Sequence, residues 1–553
     1  QGIAPGVSIT RNNGAPGAGT KITIRGLGTV GFTSPLYIVD GVSVGNIDYL
    51  NASDIASIDV LKDAASAAIY GSRAANGVIL VTTVKGKKNN AAKISYSSYF
   101  GVQNVYKNLD PLNAQEYMYI MEEGFANDGK PLPNWEAMLK NNTWLDGKFP
   151  NNLGTQLGTE IWDNLQNGWK GTNWINEMVT EDATVENHTL NITGGGEDNT
   201  YAFGLSYFNQ NGLIGHDLTN AGYKRLTARI NSEYVLRKNE DHNILTLGEN
   251  LTYTNSSNRS VGTGGIYYND LHNALVQNPL MPAYWQPAID NNVNEYGFTP
   301  TLDGLSDGQS NPLAVLFYRH NFNNLGNQSN QIIGNVYAEL EPIKNLKFRS
   351  TFGFDSWFGH SRSYSPTFAL GLKYASNIDG VSQSQYQGVN LTFTNTLSYE
   401  RRFGDHNVKA LVGMEVFKNE LNTNVGGSRV GSIFQSPEYA YLQNFGAPTN
   451  ANELNNWGAD YAAQGGGLLS YFARAQYNYK EKYLFTAIMR ADGSSNFAAG
   501  NRWGYFPSVS AGWVISEEDF MGDVSSFMNY AKLRTSWGQN GNERINNFYY
   551  SSA

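Results

Sequence analysis

The sequence predicts a membrane all-β protein: a large antiparallel transmembrane β-barrel, with about 13 strands present, and an N-terminal α+β domain held as a plug in its lumen. Three observations predict it. Residues 57–86, SIDVLKDAASAAIYGSRAANGVILVTTVKG, form a compact strand, short helix and strand. Almost everything after them alternates apolar and polar residues and is rich in Tyr, Phe, Trp and Asn. The connections between those alternating segments are short and long by turns.

The opening domain is expected over residues 1–88 and the barrel over 89–553. Within the first, Ile22–Arg25 and Leu36–Val39 read as strands, with Asp40-Gly41 as a turn leading into Val42. Ala64–Tyr70 reads as a short helix with Asp63 as its N-cap. Gly71 and Gly77 supply turn geometry before the apolar strand Val78–Val84. So small and apolar a unit can be enclosed by a barrel.

The barrel reading rests on a period of two. Leu226, Ala228, Ile230, Tyr234 and Leu236 share one face, and Thr227, Arg229, Asn231 and Glu233 the other. Leu391, Phe393, Asn395, Leu397 and Tyr399 oppose Thr392, Thr394, Thr396, Ser398 and Glu400. Tyr471, Ala473, Ala475, Tyr477 and Tyr479 oppose Phe472, Arg474, Gln476, Asn478 and Lys480. Similar alternation marks 94–102, 201–207, 346–354, 483–490 and 507–515. Segments of about ten residues ending in aromatic side chains fit a tilted lipid-crossing strand with interfacial girdles. A soluble sandwich or propeller alternates too.

The connections separate the two readings. Short polar turns fall at 194–199, 237–243, 341–345, 403–406 and 480–482, and long excursions at 106–183, 255–328, 358–386 and 419–467. Outer-membrane barrels keep short periplasmic turns and long outer loops, whereas a sandwich has no reason to keep its long loops on one side. The first strand, near 93–105, therefore runs outward. No run of about 18 apolar residues occurs, so no spanning helix is expected, and a closed barrel is the other way to satisfy backbone groups in lipid.

Counting strands this way gives about 13 by Gly538, an odd number, while single-chain barrels are normally even. The chain is therefore expected to be a fragment, about nine strands short of a barrel of about 22. It opens at Gln1 without a leader, as expected of a mature, trimmed exported protein.

Composition narrows the function. Only 16% of the 553 residues are charged, 13% are aromatic, and 34 Tyr and 59 Gly are present. A net charge of −9 with scattered Lys and Arg gives no basic footprint, so no nucleic-acid partner is expected. The absence of Cys rules out disulfides and thiolate metal sites. The seven His are dispersed, and neither HExxH nor a Walker A loop occurs. Asp303 and Asp307 in TLDGLSDGQSN offer a possible structural calcium loop, without EF-hand spacing. No catalytic Ser, His and acid cluster can be assembled, so no enzyme is expected.

The runs ITIRG (22–26), PLYIVDGV (35–42) and DIASIDVLKDAASAAIYGSRAANGVILVTT (54–83) resemble the plug of TonB-dependent outer-membrane transporters. The LKDA and GSRAANGV wording is similar to the SusC/RagA branch of Bacteroidota. DGSSNFAAGNRWGYFPSVSAGW (492–513) and LRTSWGQNGN (533–542) are similar to barrel signatures of that branch. On this resemblance Arg25, Gly26, Asp40, Gly41, Lys62, Asp63, Tyr70, Gly71, Arg73, Asn76 and Gly77 carry the plug motif.

The resemblance implies energised import, with no cofactor, of a large nutrient across the outer membrane of a Gram-negative, Bacteroidota-type bacterium. The cargo is an oligosaccharide, with oligopeptides as the alternative and a passive porin as a more distant one. A SusD-like surface lipoprotein forms a hinged lid, in a possible dimer of transporter–lid pairs. The TonB–ExbB–ExbD complex pulls on the plug with proton-motive force, through a segment expected to precede residue 1.

Two groups of candidate contacts follow. Sugars bind through aromatic faces and amides. The long loops offer Trp135, Trp144, Trp162, Trp169 and Trp174, then Tyr267, Tyr268 and Trp285; of these Trp135, Trp144, Trp285, Tyr267 and Tyr268 are the substrate-binding candidates, and their alternative role is to pack the loops or dock the lid. Plug segments 11–18 and 29–34 are further candidate contacts. Separately, Arg25, Asp40, Lys62, Asp63 and Arg73 are candidates for ion pairs with the barrel wall, because partly buried charges need partners.

Overall fold

The structure is a computed structural model. It describes the chain except residues 1–4, 12, 27, 29–31, 107–108, 142–145, 147–150, 260, 262, 265–267, 301–309, 323–324, 326, 370–374, 435, 446–457, 463–464, 525–528 and 546–553, with backbone alone at 263–264, 268, 321, 420–421, 458–462 and 522–524.

Residues Asn90–Gly538 build one antiparallel sheet of fourteen strands, thirteen of them in a single path that follows chain order, with 458–462 pairing alongside the strand His406–Val430. Each strand bonds to the one before and after it, as in an up-and-down barrel wall. The two edge strands are Asn90–Gln103 and Lys532–Gly538.

The wall is inside out relative to a soluble sheet. On the strand Gly222–Lys238, Leu226, Ile230 and Leu236 are 42%, 43% and 58% exposed, whereas Thr227, Arg229 and Asn231 are 1%, 2% and 4% exposed. The same sorting recurs along the sheet. Phe393 and Leu397 are exposed and Thr392 buried; Phe485 and Met489 are exposed and Arg490 and Asp492 buried. Apolar side chains facing out and polar ones facing in is the arrangement that lipid outside and a polar lumen impose. Among the described residues no helix is long and apolar enough to cross a membrane.

Several strands outrun the lipid. Gly380–Phe403 and His406–Val430 are 24 and 25 residues long, against the about ten that cross a bilayer. The excursion expected at 358–386 therefore shrinks to the connection between Ser365 and Gly380. Cross-strand pairing through Gly359↔Tyr386 and Val381↔Arg429 carries the ladder onward, since polar alternation continues past the apolar band.

The long outer connections are folded rather than open. Helices Ala114–Asn127, Trp135–Lys140, Leu153–Gln166 and Trp174–Met178 fill the first, and Asp270–Val276, Gln286–Asp290 and Pro312–Leu316 the second. Leu139, Leu153, Leu157, Ile161 and Leu280 form a dry core shared by both excursions.

Within the lumen lies the N-terminal domain. A hairpin pairs β1 (Val7–Arg11) with β2 (Thr20–Ile24), and a mixed sheet runs in the order β4 (Val42–Val44), β3 (Leu36–Val39), β6 (Val78–Thr83), β5 (Ile55–Leu61). Strand β3 is buried throughout because both its faces are covered: Tyr37 and Val39 pack with Val42, Ile79 and Val81, Leu36 and Ile38 with Ala67, Ala74 and Val78. The barrel residue Ile333 joins the first of these cores. Asp40 and Gly41 both take positive φ, +48° and +90°, the geometry of a tight hairpin turn. The helix is shorter than the sequence predicts, Ala64–Ala67, and passes into a 3₁₀ turn over Ala68–Arg73 that kinks at Gly71. The kink follows from a glycine at φ +51° inside an otherwise alanine-rich helical run.

Arginine placed on the outer face measures the lipid directly. Ile230→Arg, mid-strand, is expected to cost about 2–4 kcal/mol of folding free energy in liposomes, and Leu236→Arg, near the strand end, about 0–1 kcal/mol. Denaturant titration of the full-length barrel followed by heat-modifiable gel mobility checks the difference.

Candidate functional site

The plug meets the wall through polar groups, and the densest contact surrounds Arg73. Gly71 lets the backbone of residues 69–73 run against the wall; a Cβ there would overlap the Asp492 carboxylate and the Arg490 side chain. The Ser72 N–H donates to Asp492 Oδ2 at 2.7 Å, and Arg490 Nη1 donates to the Ile69 carbonyl at 2.5 Å. Arg73 Nη2 lies 2.5 Å from Glu415 Oε1, which also takes Arg490 Nη2 at 3.3 Å, while Arg490 Nε holds Asp492 Oδ1 at 2.7 Å. Two guanidiniums and two carboxylates thus alternate in one buried node, with Arg73 stacked 4.9 Å from the Phe417 ring centroid. Buried charges of this kind are stable only as a set, because removing one leaves another desolvated and unmatched.

A second contact lies around the plug end of β5. Asp54 and Arg229 pair at 3.5 Å, both almost fully buried, and Arg229 Nη1 donates to the Val84 carbonyl at 2.8 Å. Burial raises the Asp54 carboxyl above its ordinary value, with Arg229 and Arg225 pulling it back. Asn51 Nδ2 donates to Asn187 Oδ1 and Thr189 Oγ1, both at 3.1 Å, and Arg225 donates to the Asp48 carbonyl. Asn335 Nδ2 adds a bond of 2.9 Å to the Asp40 carbonyl.

The five charged plug residues singled out from sequence divide unevenly. Arg73 alone makes a buried ion pair with the wall. Asp63 caps its helix, accepting from the Ser66 N–H at 2.7 Å, and reaches Arg534 only at 3.9 Å and partly exposed. Asp40 is absorbed inside the plug, accepting from the Thr83 N–H at 3.0 Å and its hydroxyl at 2.6 Å. Lys62 Nζ donates to the Pro5 carbonyl at 2.9 Å. Arg25 sits exposed at φ +54° beside Gly26 and forms no ion pair among the described residues. The expectation of ion pairs with the wall is corrected for Asp40, Lys62 and Arg25: the side chains of the first two bond within the plug itself, and the third occupies an exposed corner. Of the remaining motif residues, Tyr70 packs beside Leu36 and Ile38, Asn76 Nδ2 donates to the Phe32 carbonyl at 2.8 Å, and Gly77, at φ +82°, has no room for a Cβ beside Ile24 and the Leu61 carbonyl.

The wall residues Glu415, Arg490 and Asp492, and the plug residue Asp54, were not singled out from sequence. Arg490 and Asp492 stand two apart on the polar face of one strand, a signal visible only once that face is known to meet another domain.

Between plug and wall lies a cavity of about 500 Å³, lined on the plug side by Phe32, Ser34, Gly45 and Arg73 and on the wall side by Trp357, Phe417 and several asparagines. Trp357 lies across Gly388, where any Cβ would strike its ring and the Asn422 amide.

The aromatic candidates of the long loops are placed differently. Trp135 and Trp285 are 7% and 5% exposed in the core of the outer cap, their indole N–H groups bonded to Glu122 and Glu160. Neither presents a free face to a ligand, because each closes the apolar seam between the two excursions. Trp144 and Tyr267, and the candidate calcium residues Asp303 and Asp307, lie outside the described residues, as does the side chain of Tyr268. Among the described residues no group of three or more His, Asp or Glu is placed to hold a metal.

Residues 1–78 match the family model for the TonB-dependent receptor plug domain. The chain is 30% identical to TonB-dependent receptor P26 of Formosa agariphila, over 99% of this chain and 49% of that protein. It is 30% identical to TonB-dependent receptor SusC of Bacteroides thetaiotaomicron, over 98% of this chain and 50% of that protein. It thus spans about half the length of the curated relatives it matches. Superposed on the RagAB peptide importer in its closed-closed state it gives a TM-score of 0.80 at 23% identity, covering 99% of this chain and 58% of that one; that likeness concerns the fold.

A double-mutant cycle tests the central node. Arg73→Ala and Glu415→Ala, alone and together, are expected to reveal a coupling of about 1.5–3 kcal/mol in the urea unfolding of the plug within a folded barrel. A coupling near zero would mean the pair does not hold the plug.

Proposed function

The chain is SusC/RagA-like, a TonB-dependent receptor plug joined to thirteen consecutive strands of receptor wall, and from this we propose that its parent protein imports a large nutrient actively across the outer membrane. One observation carries the reading: the plug is seated by polar and ionic bonds rather than by a continuous apolar interface. Apolar plug and wall surfaces would fuse into one core, whereas hydrogen bonds and ion pairs have water as a ready substitute once the plug shifts. Such a plug is fixed at rest and displaceable under load, which a passive porin does not need.

On this reading the TonB–ExbB–ExbD complex supplies the load from proton-motive force, and no resident cofactor takes part. A SusD-like lipoprotein covers the outer opening, and further strands of the parent barrel satisfy the two unpaired sheet edges. The cargo is an oligosaccharide. The support for this is the lining of the cavity, where a tryptophan face and asparagine amides offer the stacking and hydroxyl-bonding surfaces a sugar needs.

Two measurements check the proposal. Deleting residues 1–88 from the full-length protein is expected to turn a closed barrel into a steadily conducting one in planar bilayers; unchanged closure would remove the plug from the account. Cells expressing the intact protein with its lid should accumulate fluorescent oligosaccharide until a protonophore is added, and uptake indifferent to the protonophore would favour a passive pore.

A further inference from the structure

We propose that the lumen cavity contains an oxyanion subsite, built on the guanidinium of Arg544 with the enclosed charge of Arg73 behind it, that selects cargo carrying a carboxylate. The proposal rests on the importer reading and names the chemistry of what is imported.

Arg544 belongs to a segment that leaves the wall after the strand Lys532–Gly538 and lies down on the plug. The Gly541 N–H donates to the Gly71 carbonyl at 3.4 Å and the Glu543 N–H to the Ser72 carbonyl at 2.9 Å. This brings the Arg544 side chain over the plug, where it donates to the carbonyls of Ser34 at 3.0 Å, Pro35 at 3.5 Å and Arg73 at 3.2 Å. All of these acceptors are neutral. Among the described residues no carboxylate comes within ion-pair distance of it.

Arg73 stands behind it. Its residue is 5% exposed, its Nη2 is committed to Glu415, and its Nε and Nη1 are enclosed without an acceptor, so it adds positive charge to the cavity rather than a bond to cargo. Both arginines line the cavity, together with Glu543. The two nearby acids are already engaged. Glu415 is shared with Arg490, and Glu543 accepts from Ser494 Oγ at 2.9 Å and Asn496 Nδ2 at 3.0 Å. Burial raises the Glu543 carboxyl above its ordinary value, with its bond from Ser494 and the charges of Arg73 and Arg544 pulling it back. Burial, and then the neighbouring Arg73, push Arg544 down to about 10, still protonated at neutral pH.

A partly buried cation bonded only to neutral carbonyls has no directly paired counter-charge to offset its desolvation. A guanidinium fork matches a carboxylate in two parallel bonds, and such charge-assisted bonds are shorter and stronger than those to amides. Cargo bearing that group therefore gains at this position what neutral cargo cannot.

A carboxylate can come from a uronate ring or from a peptide C-terminus, and matched pairs of probes separate them. Full-length protein in detergent is titrated calorimetrically with tetragalacturonate and its neutral methyl ester, and with a tetrapeptide having a free or an amidated C-terminus. In one pair the acid is expected to bind about tenfold or more tightly than its neutral twin, and that pair identifies the source. Arg544→Gln should cut the preference below about threefold. Arg544→Lys, which keeps the charge and loses the fork, should retain part of it and serves if the glutamine variant does not fold. Equal affinity within both pairs, an unchanged preference in Arg544→Gln, or no binding by any probe would overturn the subsite. Protonophore-sensitive uptake of neutral oligosaccharide alongside equal affinities would leave the importer standing and remove the subsite alone.

Discussion

Hydrocarbon offers a polypeptide no hydrogen bonds, and the rest of this structure follows from that constraint. Every N–H and C=O in the lipid-crossing region must pair within the sheet, which the continuous ladder from Asn90 to Gly538 does between its two edge strands. With the backbone satisfied, the outer face is left to apolar side chains such as Leu226, Ile230, Phe393 and Met489, and the inner face is released from any need to be apolar. Thr227, Arg229, Asn231, Arg490 and Asp492 occupy it instead. A polar inner face in turn requires a domain inside it to answer with polar groups.

The plug does so through its connecting segments, while its own two small cores stay dry. Arg73, Ser72, Asp54 and Asn51 all lie outside the central strands β3 and β6, at turns where a side chain or an amide can reach the wall. The Gly71 kink brings the backbone close enough for this, since any larger residue would collide with Asp492. The plug is thus held by discrete polar contacts on a self-sufficient fold, and it can keep its internal packing if those contacts are exchanged for water. The strap carrying Glu543 and Arg544 extends the same logic. It binds the plug at Gly71, Ser72 and Arg73 and the wall at Ser494 and Asn496, so it spans the boundary that would have to open.

Much of this architecture was legible in the residues. The period of two in 226–236 and 391–400 predicted the faces, and the alternation of connection lengths predicted which turns lie together. Asp40-Gly41 announced its turn because few residue pairs accept positive φ twice. What sequence could not convey was which polar residues meet across the lumen. Asp40 and Lys62 read as equal to Arg73 in charge and neighbourhood, and only the fold reveals that the first two bond within the plug. Trp135 and Trp285 likewise read either as sugar platforms or as loop packing, because an aromatic in a polar loop looks the same whether it stacks on a ligand or closes the seam between two helical excursions. Trp357 was overlooked for the converse reason, being one inward-facing residue in a strand whose outward aromatics Phe352 and Phe358 dominate the pattern.

Nitroxide scanning along residues 226 to 236 of the full-length protein in liposomes tests the inside-out wall most directly. Collision with dissolved oxygen, which concentrates in lipid, should rise at 226, 228, 230, 234 and 236 and fall at 227, 229, 231 and 233. A flat profile, or one with the two sets exchanged, would contradict a lipid-facing apolar face and a plug-facing polar one.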